Sequence, residues 1–288
     1  MKRVALITWA GLPEVAESEQ LLVPLLAAGG VDAQMVDWRD SSVDFSRFDL
    51  VVLRSCWDYH LRLQEFTDWL SRTARLTSIL NSANIVLWNS NKFYLRELQA
   101  QGIEIAPTCF VSRDKELSRH DLAELESWPE IVVKPAVSAS AHKTHLFQRR
   151  DLPSLSYLAE LMQNQLFLLQ QFVPEIQSNG EISFIYFDGA YSHAVLKRPA
   201  QDDFRVQKEH GGSAEQFLPP AGLLQQSQKI AKAVPQVRES LYCRIDAVEK
   251  DGRLVVMELE LIEPELFLGL TDGAAGRFAE AILRRLDN

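Results

Sequence analysis

LYCRIDAVEKDGRLVVMELELIEP, residues 241–264, holds two apolar runs around a Lys-Asp-Gly sequence. Runs of β-formers bounded by a glycine turn read as a hairpin, with Leu241–Val248 returning as Arg253–Leu261. Its acidic residues are the informative ones. Glu258 and Glu260 lie two apart on one strand and so point to one face. Carboxylates a few ångströms apart repel unless a cation sits between them, and oxygen ligands with water suit Mg²⁺. Asp246 joins them if Lys250-Asp251-Gly252 is a three-residue loop with Gly252 left-handed, because Glu249 then pairs with Arg253 and position 246 opposes 256. A two-residue turn inverts that face and spoils the cluster. A strand with a solvated polar face shows the same alternation, and that reading stays open.

Upstream, EISFIYF (181–187) and AYSHAVLKR (190–198) flank Asp188-Gly189 as a second hairpin. Antiparallel sheet therefore dominates from about residue 103, with helices expected at 119–127, 154–164, 222–237 and 273–286. The first 88 residues read differently. VALITW (4–9), AQMVDW (33–38) and DLVVLRS (49–55) alternate with helical stretches at 17–30 and 61–72, and IVLWN (85–89) reads as a last strand. Strands separated by helices mean a parallel sheet with helices on its faces, so this part is an α/β lobe within a chain that is α+β overall. A helix from about Ser90 to Gln101 follows and stops at Gly102.

Further charges sit where burial makes them costly without a partner or a task. Lys134 ends the Val-rich run EIVVKPAV, before the small polar segment VSASAHKT. An edge lysine snorkelling to water is the ordinary alternative. Lys92, in the first turn of the 90–101 helix, opposes the helix dipole, which an anion would repair; a solvated surface lysine is equally open. Arg205, between Phe204 and Val206, reads as a strand position suited to a phosphate or carboxylate fork, or else to a salt bridge with Asp202 or Asp203. Gly211 and Gly212 permit close backbone approach. In RSCWDYH (54–60), beyond the carboxyl end of a strand, Arg54, Asp58 and Tyr59 could recognise an amino-acid-like zwitterion with Trp57 as a wall. N-capping by Asp58 and core packing by Trp57 are the alternatives.

Composition narrows the classes. The chain has 288 residues, 47% apolar and 24% charged, with a net charge of −9. Length predicts about two domains, and the negative balance argues against nucleic acid. No window approaches the apolar length of a spanning helix, and MKRVALITWA reads as a buried first strand and not as a leader. Cys56, Cys109 and Cys243 lack ligand or pairing spacing, which suits reduced thiols in a cytoplasm. Neither G-x-x-x-x-G-K-[ST] nor G-x-G-x-x-G occurs.

From Trp88 to the end, five segments in order resemble the ATP-grasp superfamily, in the branch of glutathione synthetase, D-alanine:D-alanine ligase and small ligases such as the cyclo-ligase of cycloserine biosynthesis. They are WNSNKFYL, IVVKP, LLQQFVPEIQSNGEISFIYFDG, FRVQKEHGG, and RIDAV with VVMELELIEP. The resemblance implies an N-terminal Rossmann-like lobe (1–88), a central lobe (89–173) and a C-terminal lobe (174–288), with ATP between the last two. It implies that Lys92 and Lys134 hold ATP phosphates, that the backbone of Gln171, Phe172 and Val173 meets adenine, and that Glu181 takes the ribose hydroxyls. Arg205 would meet the transferring phosphoryl, and Asp246, Glu258 and Glu260 two Mg²⁺. The implied reaction is amide-type ligation, within or between amino-acid-like molecules, through an acyl phosphate, releasing ADP and phosphate; the oligomeric state is open, a homodimer being one option. Two departures stand out. Val137 to Thr144 contains no glycine where the family loop is usually glycine-rich, and Glu260 stands where many members carry Asn. A metal-dependent phosphoesterase and a non-catalytic ATP sensor are the competing readings.

Overall fold

The computed structural model describes residues 1–9, 11, 17–112, 117–163, 165–201 and 203–287. Strands β1 (Arg3–Thr8), β2 (Asp32–Asp37), β3 (Leu50–Ser55) and β4 (Ser78–Leu80) form a parallel sheet in the order β2-β1-β3-β4. Both faces are covered, as the continuous apolar runs require. On one face, Val4, Leu6, Leu50 and Val52 pack against Leu22, Leu26 and the last helix, Ala274–Asp287, through Phe278 and Ile282. On the other, Ala5, Ile7, Val51 and Leu53 meet Trp38 and the helix Leu63–Thr73 through Phe66, Trp69 and Leu70. The C-terminal helix thus completes the core of the N-terminal sheet.

IVLWN is not a strand. Ala83–Asn89 is a helix behind Ser82, and its buried positions Ile85, Val86 and Asn89 follow helical spacing. A short apolar run does not reveal its period, which is why the sequence misleads here. The fourth strand is instead Ser78–Leu80. The next helix begins only at Tyr94, so Lys92 lies in the turn between two helices.

Strands β5 (Thr108–Val111), β6 (Glu130–Pro135), β7 (His145–Gln148) and β8 (Phe167–Gln171) form an antiparallel sheet, β5-β8-β6-β7. Val133 and Leu169 on one face pack against Leu125 and Leu158 of two covering helices, Arg119–Ser127 and Leu155–Leu161. A third sheet holds β9 (Glu181–Phe187), β10 (Ala190–Arg198), β11 (Ser213–Phe217), β12 (Tyr242–Lys250) and β13 (Arg253–Glu260), ordered β11-β10-β9-β12-β13 and antiparallel throughout. The expected helix at 222–237 is divided at Pro235 into Ala221–Ala233 and Pro235–Glu239. The β13 edge is sealed by side chains. Asn89 donates to Leu259 O and accepts from Leu261 N, and the Tyr94 hydroxyl does both at Leu259. Among the described residues no helix is long and apolar enough to cross a membrane.

Candidate active site

The β12–β13 turn has two residues, Asp251 (φ 51°) and Gly252 (φ 75°), with Lys250 paired to Arg253. The three-residue loop expected from the sequence is therefore absent. The acidic cluster survives for another reason. Ala247 faces Val256 but Asp246 faces Glu258, so Met257 is an extra residue that restores the face. Arg244 then opposes Glu260 on the same side.

Two cations that the sequence reading overlooked thread this face. The Asp246 carboxylate accepts from Ser183 Oγ (2.6 Å), Lys197 Nζ (3.0 Å) and the Arg244 fork (Nη2 at 2.9 Å). Lys197 also pairs with Glu181, its cross-strand partner, and Arg244 with Glu260. The result is a ladder of alternating charge, Glu181, Lys197, Asp246, Arg244, Glu260, buried along its length and half-buried at the Glu260 end. Burial alone would raise the Asp246 carboxyl, but Arg244 and Lys197 outweigh it and hold it below the ordinary carboxylate range. Glu181 is raised because burial outweighs the pull of Lys197. Burial pushes Glu260 up to about 7 and Glu263 well above its usual range. Lys197 lies in HAVLKR and Arg244 two residues before Asp246, so charge within an apolar run was the available signal for both.

Lys92 reaches the same face from the helical turn, donating to Ser138 O at 2.8 Å and pairing with Glu258 at 2.6 Å. Lys134, at the end of β6, is 9% exposed, and among the described residues its ammonium has no hydrogen-bond or ion-pair partner. Burial pushes it down to about 8; Glu258 opposes the shift and Lys92 adds to it. Beside these lysines, Val132, Phe172, Val173, Val206, Val248 and Val255 form an apolar patch joining the second and third sheets, with half-buried Leu146, Phe204 and Met257 on its rim. Gln171 and Phe172 give their N–H groups to Pro107 O and Glu130 O, whereas the Val173 N–H has no acceptor among the described residues.

The glycine-free loop after β6 takes left-handed backbone at Ser140, Ala141 and Lys143 (φ 49°, 53° and 54°), a conformation uncommon for side-chain-bearing residues. It rests on the first sheet's core through Ala139, and His142 lies against His60 with ring centroids 5.2 Å apart.

Arg205 sits in the loop between β10 and β11 and not in a strand. Its guanidinium is forked onto Asp203, Nη2 to Oδ2 at 2.7 Å, as in the salt-bridge alternative; Asp202 lies outside the described residues. Gly211 (φ 80°) is left-handed, and a Cβ on Gly212 would stand 2.1 Å from Val206 O. Gly212→Ala should therefore cost about 2 kcal/mol of stability. Melting curves check this, and an unchanged melting temperature would show that the loop yields freely.

Arg54 is fully buried and faces no crevice: it pairs with Glu19 and donates to Pro264 O at 3.1 Å. Asp58 accepts from Trp38 Nε1 at 2.9 Å and makes no capping bond; Tyr59 packs on Phe66. Trp57 is half-buried and donates to Glu263 O at 2.8 Å. Among the described residues no three His, Cys, Asp or Glu side chains converge to hold a metal.

Residues 4–81 match the family described as D-cycloserine synthetase DcsG, N-terminal domain, and residues 91–251 match the prokaryotic glutathione synthetase ATP-grasp domain. The cycloserine biosynthesis protein DcsG of Streptomyces lavendulae is 32% identical over 283 residues, covering 91% of this chain and 93% of that protein. Glutathione synthetase of Rhodopseudomonas palustris is 27% identical over 227 residues, covering 77% of this chain and 67% of that protein. The crystal structure of D-cycloserine synthetase DcsG superposes with a TM-score of 0.86 at 28% identity over 99% of both chains. D-alanine–D-alanine ligase from Bacillus anthracis shares the fold, with a TM-score of 0.69 at 16% identity over 99% of this chain and 97% of that one. With matches spanning both the first lobe and the nucleotide-binding part, the chain belongs to the ATP-grasp family of ATP-dependent ligases.

Proposed function

We propose that this ligase joins a carboxylate to an amine on an amino-acid-like substrate, within one molecule or between two, through an acyl phosphate with release of ADP and phosphate. The observation that carries the reading is Lys134. A lysine nine-tenths buried whose ammonium has no protein partner among the described residues is costly, and it stands beside Lys92 and the acidic hairpin, where nucleotide phosphates would complete it. The patch around Phe172, Phe204 and Met257 suits a purine, and the free Val173 N–H suits a ring nitrogen. Glu181 would take the ribose hydroxyls only by giving up part of its ion pair with Lys197.

Mg²⁺ fits this donor set in part. Glu258 and Glu260 are hard oxygen ligands on one face, with side chains 28% and 27% exposed, whereas Asp246 joins them only where its internal cations give way. When bound there, Mg²⁺ would neutralise charge on the phosphate oxygens. Lys134 and Lys92 would hold the terminal phosphates against the substrate carboxylate, and Arg244 would steady the hairpin that faces them. Glu258→Gln and Glu260→Gln should each lower activity at limiting Mg²⁺, by roughly tenfold or more, with partial recovery in excess Mg²⁺. Full activity of both at limiting Mg²⁺ would remove them from the metal site.

The reaction itself is tested by its products. ADP and phosphate should appear only with a carboxylate substrate, ¹⁸O from that carboxylate should enter the phosphate, and hydroxylamine should trap a hydroxamate when the amine is withheld. Label in AMP would refute the acyl phosphate. Release of phosphate from simple phosphoesters would favour the phosphoesterase instead.

A further inference from the structure

Four consecutive carbonyls after β13 are each held by a side chain. Tyr242 Oη donates to Ile262 O (2.7 Å), Trp57 Nε1 to Glu263 O (2.8 Å), Arg54 Nη2 to Pro264 O (3.1 Å) and Arg244 Nη1 to Glu265 O (3.0 Å). An irregular segment fixed at every carbonyl presents its side chains in one geometry, as a binding site requires. Two of these donors, Arg54 and Trp57, come from the end of β3 and the residues beyond it, the part of an open parallel sheet beside which ligands sit.

The side chain so presented is Glu263. It is partly exposed, and among the described residues its carboxylate makes no hydrogen bond and no ion pair. Its electrostatic neighbours are Glu260, Lys92, Glu258 and Arg244, and, from the first lobe, Cys56 and Tyr59. Both cations are already engaged, Lys92 by Glu258 and Ser138 and Arg244 by Asp246 and Glu260. A held carboxyl group with no hydrogen-bond or ion-pair partner among the described residues therefore lies where this acidic face meets the first lobe; burial favours its neutral form, and an incoming ammonium would favour the charged one.

We propose that Glu263 binds the ammonium group of the amino-acid substrate, so that the substrate class is restricted to molecules with a free amine near the reacting carboxyl. This rests on the ligase reading above. A carboxylate fixed in advance at that point orients the substrate without being part of the phosphoryl chemistry, and its removal acts on substrate binding and leaves nucleotide binding alone.

ADP release is measured for the wild type with the common amino acids and their D-enantiomers, each at saturating ATP and Mg²⁺. For the best responder, Glu263→Gln should raise KM by about 30-fold, the scale of one charge-assisted hydrogen bond, with KM for ATP within about twofold. Glu263→Asp keeps the charge and should recover much of the loss. The N-acetyl form of the same amino acid should inhibit wild type and Glu263→Gln equally. An unchanged amino-acid KM in a folded Glu263→Gln protein overturns the assignment and leaves the ligase reading standing. Loss of Mn²⁺ affinity in that variant overturns it in favour of a metal ligand. If no amino acid stimulates ADP release from the wild type, the amino-acid substrate class falls and the Glu263 assignment with it, while membership of the ligase family stands.

Discussion

Lys134→Met should reduce turnover by about 10³-fold, the scale of a charge directed at a transferring phosphoryl, while the unliganded protein melts a few degrees higher than wild type. The two effects share one cause. Lys134 is 9% exposed and unpartnered, and burial brings it from the ordinary 10.5 down to about 8. Below pH 8 it is charged in both the folded and unfolded states, and burial opposes folding in full. As pH rises from 8 to 10.5 the folded protein releases the proton first, so this group's penalty fades and stability gains. Methionine of similar length removes the penalty at every pH. ATP affinity runs the other way, since only the ammonium attracts phosphate, and it should weaken in the wild type as pH passes about 8. Calorimetric melting with and without ATP, across pH 7 to 10, reads all of this. A variant that melts lower than wild type and keeps its ATP-induced shift would make Lys134 a solvated edge residue instead.

The local patterns show why some of this was legible in the sequence. Strands β9 and β10 occupy the segments marked by alternation around Asp188-Gly189, because a two-residue turn with both residues left-handed (φ 51° and 74°) is written in the Asp-Gly pair. Lys134 was conspicuous because charge at the end of a valine run has few explanations. What escaped reading depends on residues far apart in the chain. Arg54 resembles a ligand contact until Glu19, 35 positions away, is brought onto it inside the core. Arg205 is the exception: the salt bridge to Asp203, only two positions away, is one of its two readings from sequence, and within a loop its guanidinium donates to that carboxylate in place of the strand geometry its apolar neighbours imply. The Met257 bulge compensates for a turn one residue shorter than expected, and neither feature can be read alone. For Arg244 and Lys197 the apolar run around each charge is visible in the sequence, but their partners appear only when four strands set them between Glu181, Asp246 and Glu260.

Arg244→Met should be the most damaging single change to the site, costing about 3–5 kcal/mol in stability because it leaves buried carboxylates without their partner. Asp246 would keep only Lys197 and Ser183, Glu260 would lose its ion pair, and Glu265 O would lose the donor that holds the segment after β13. Arg244→Lys tests whether charge alone is enough. A lysine restores a positive charge but not a planar fork that binds Asp246 with two nitrogens, Glu260 with one of them and Glu265 O with a third. Its stability should return partway to that of wild type while turnover stays low, because the hairpin bearing Glu258 and Glu260 would no longer be fixed relative to Lys134. Urea unfolding paired with ADP release separates the two contributions. The double variant Arg244→Met with Glu260→Gln supplies the control: removing the stranded charge should recover part of the stability lost in Arg244→Met without recovering activity. If Arg244→Lys instead matched wild type in turnover, the guanidinium would be a source of charge only, and the geometry of the hairpin would have to be held by Lys197 and Ser183.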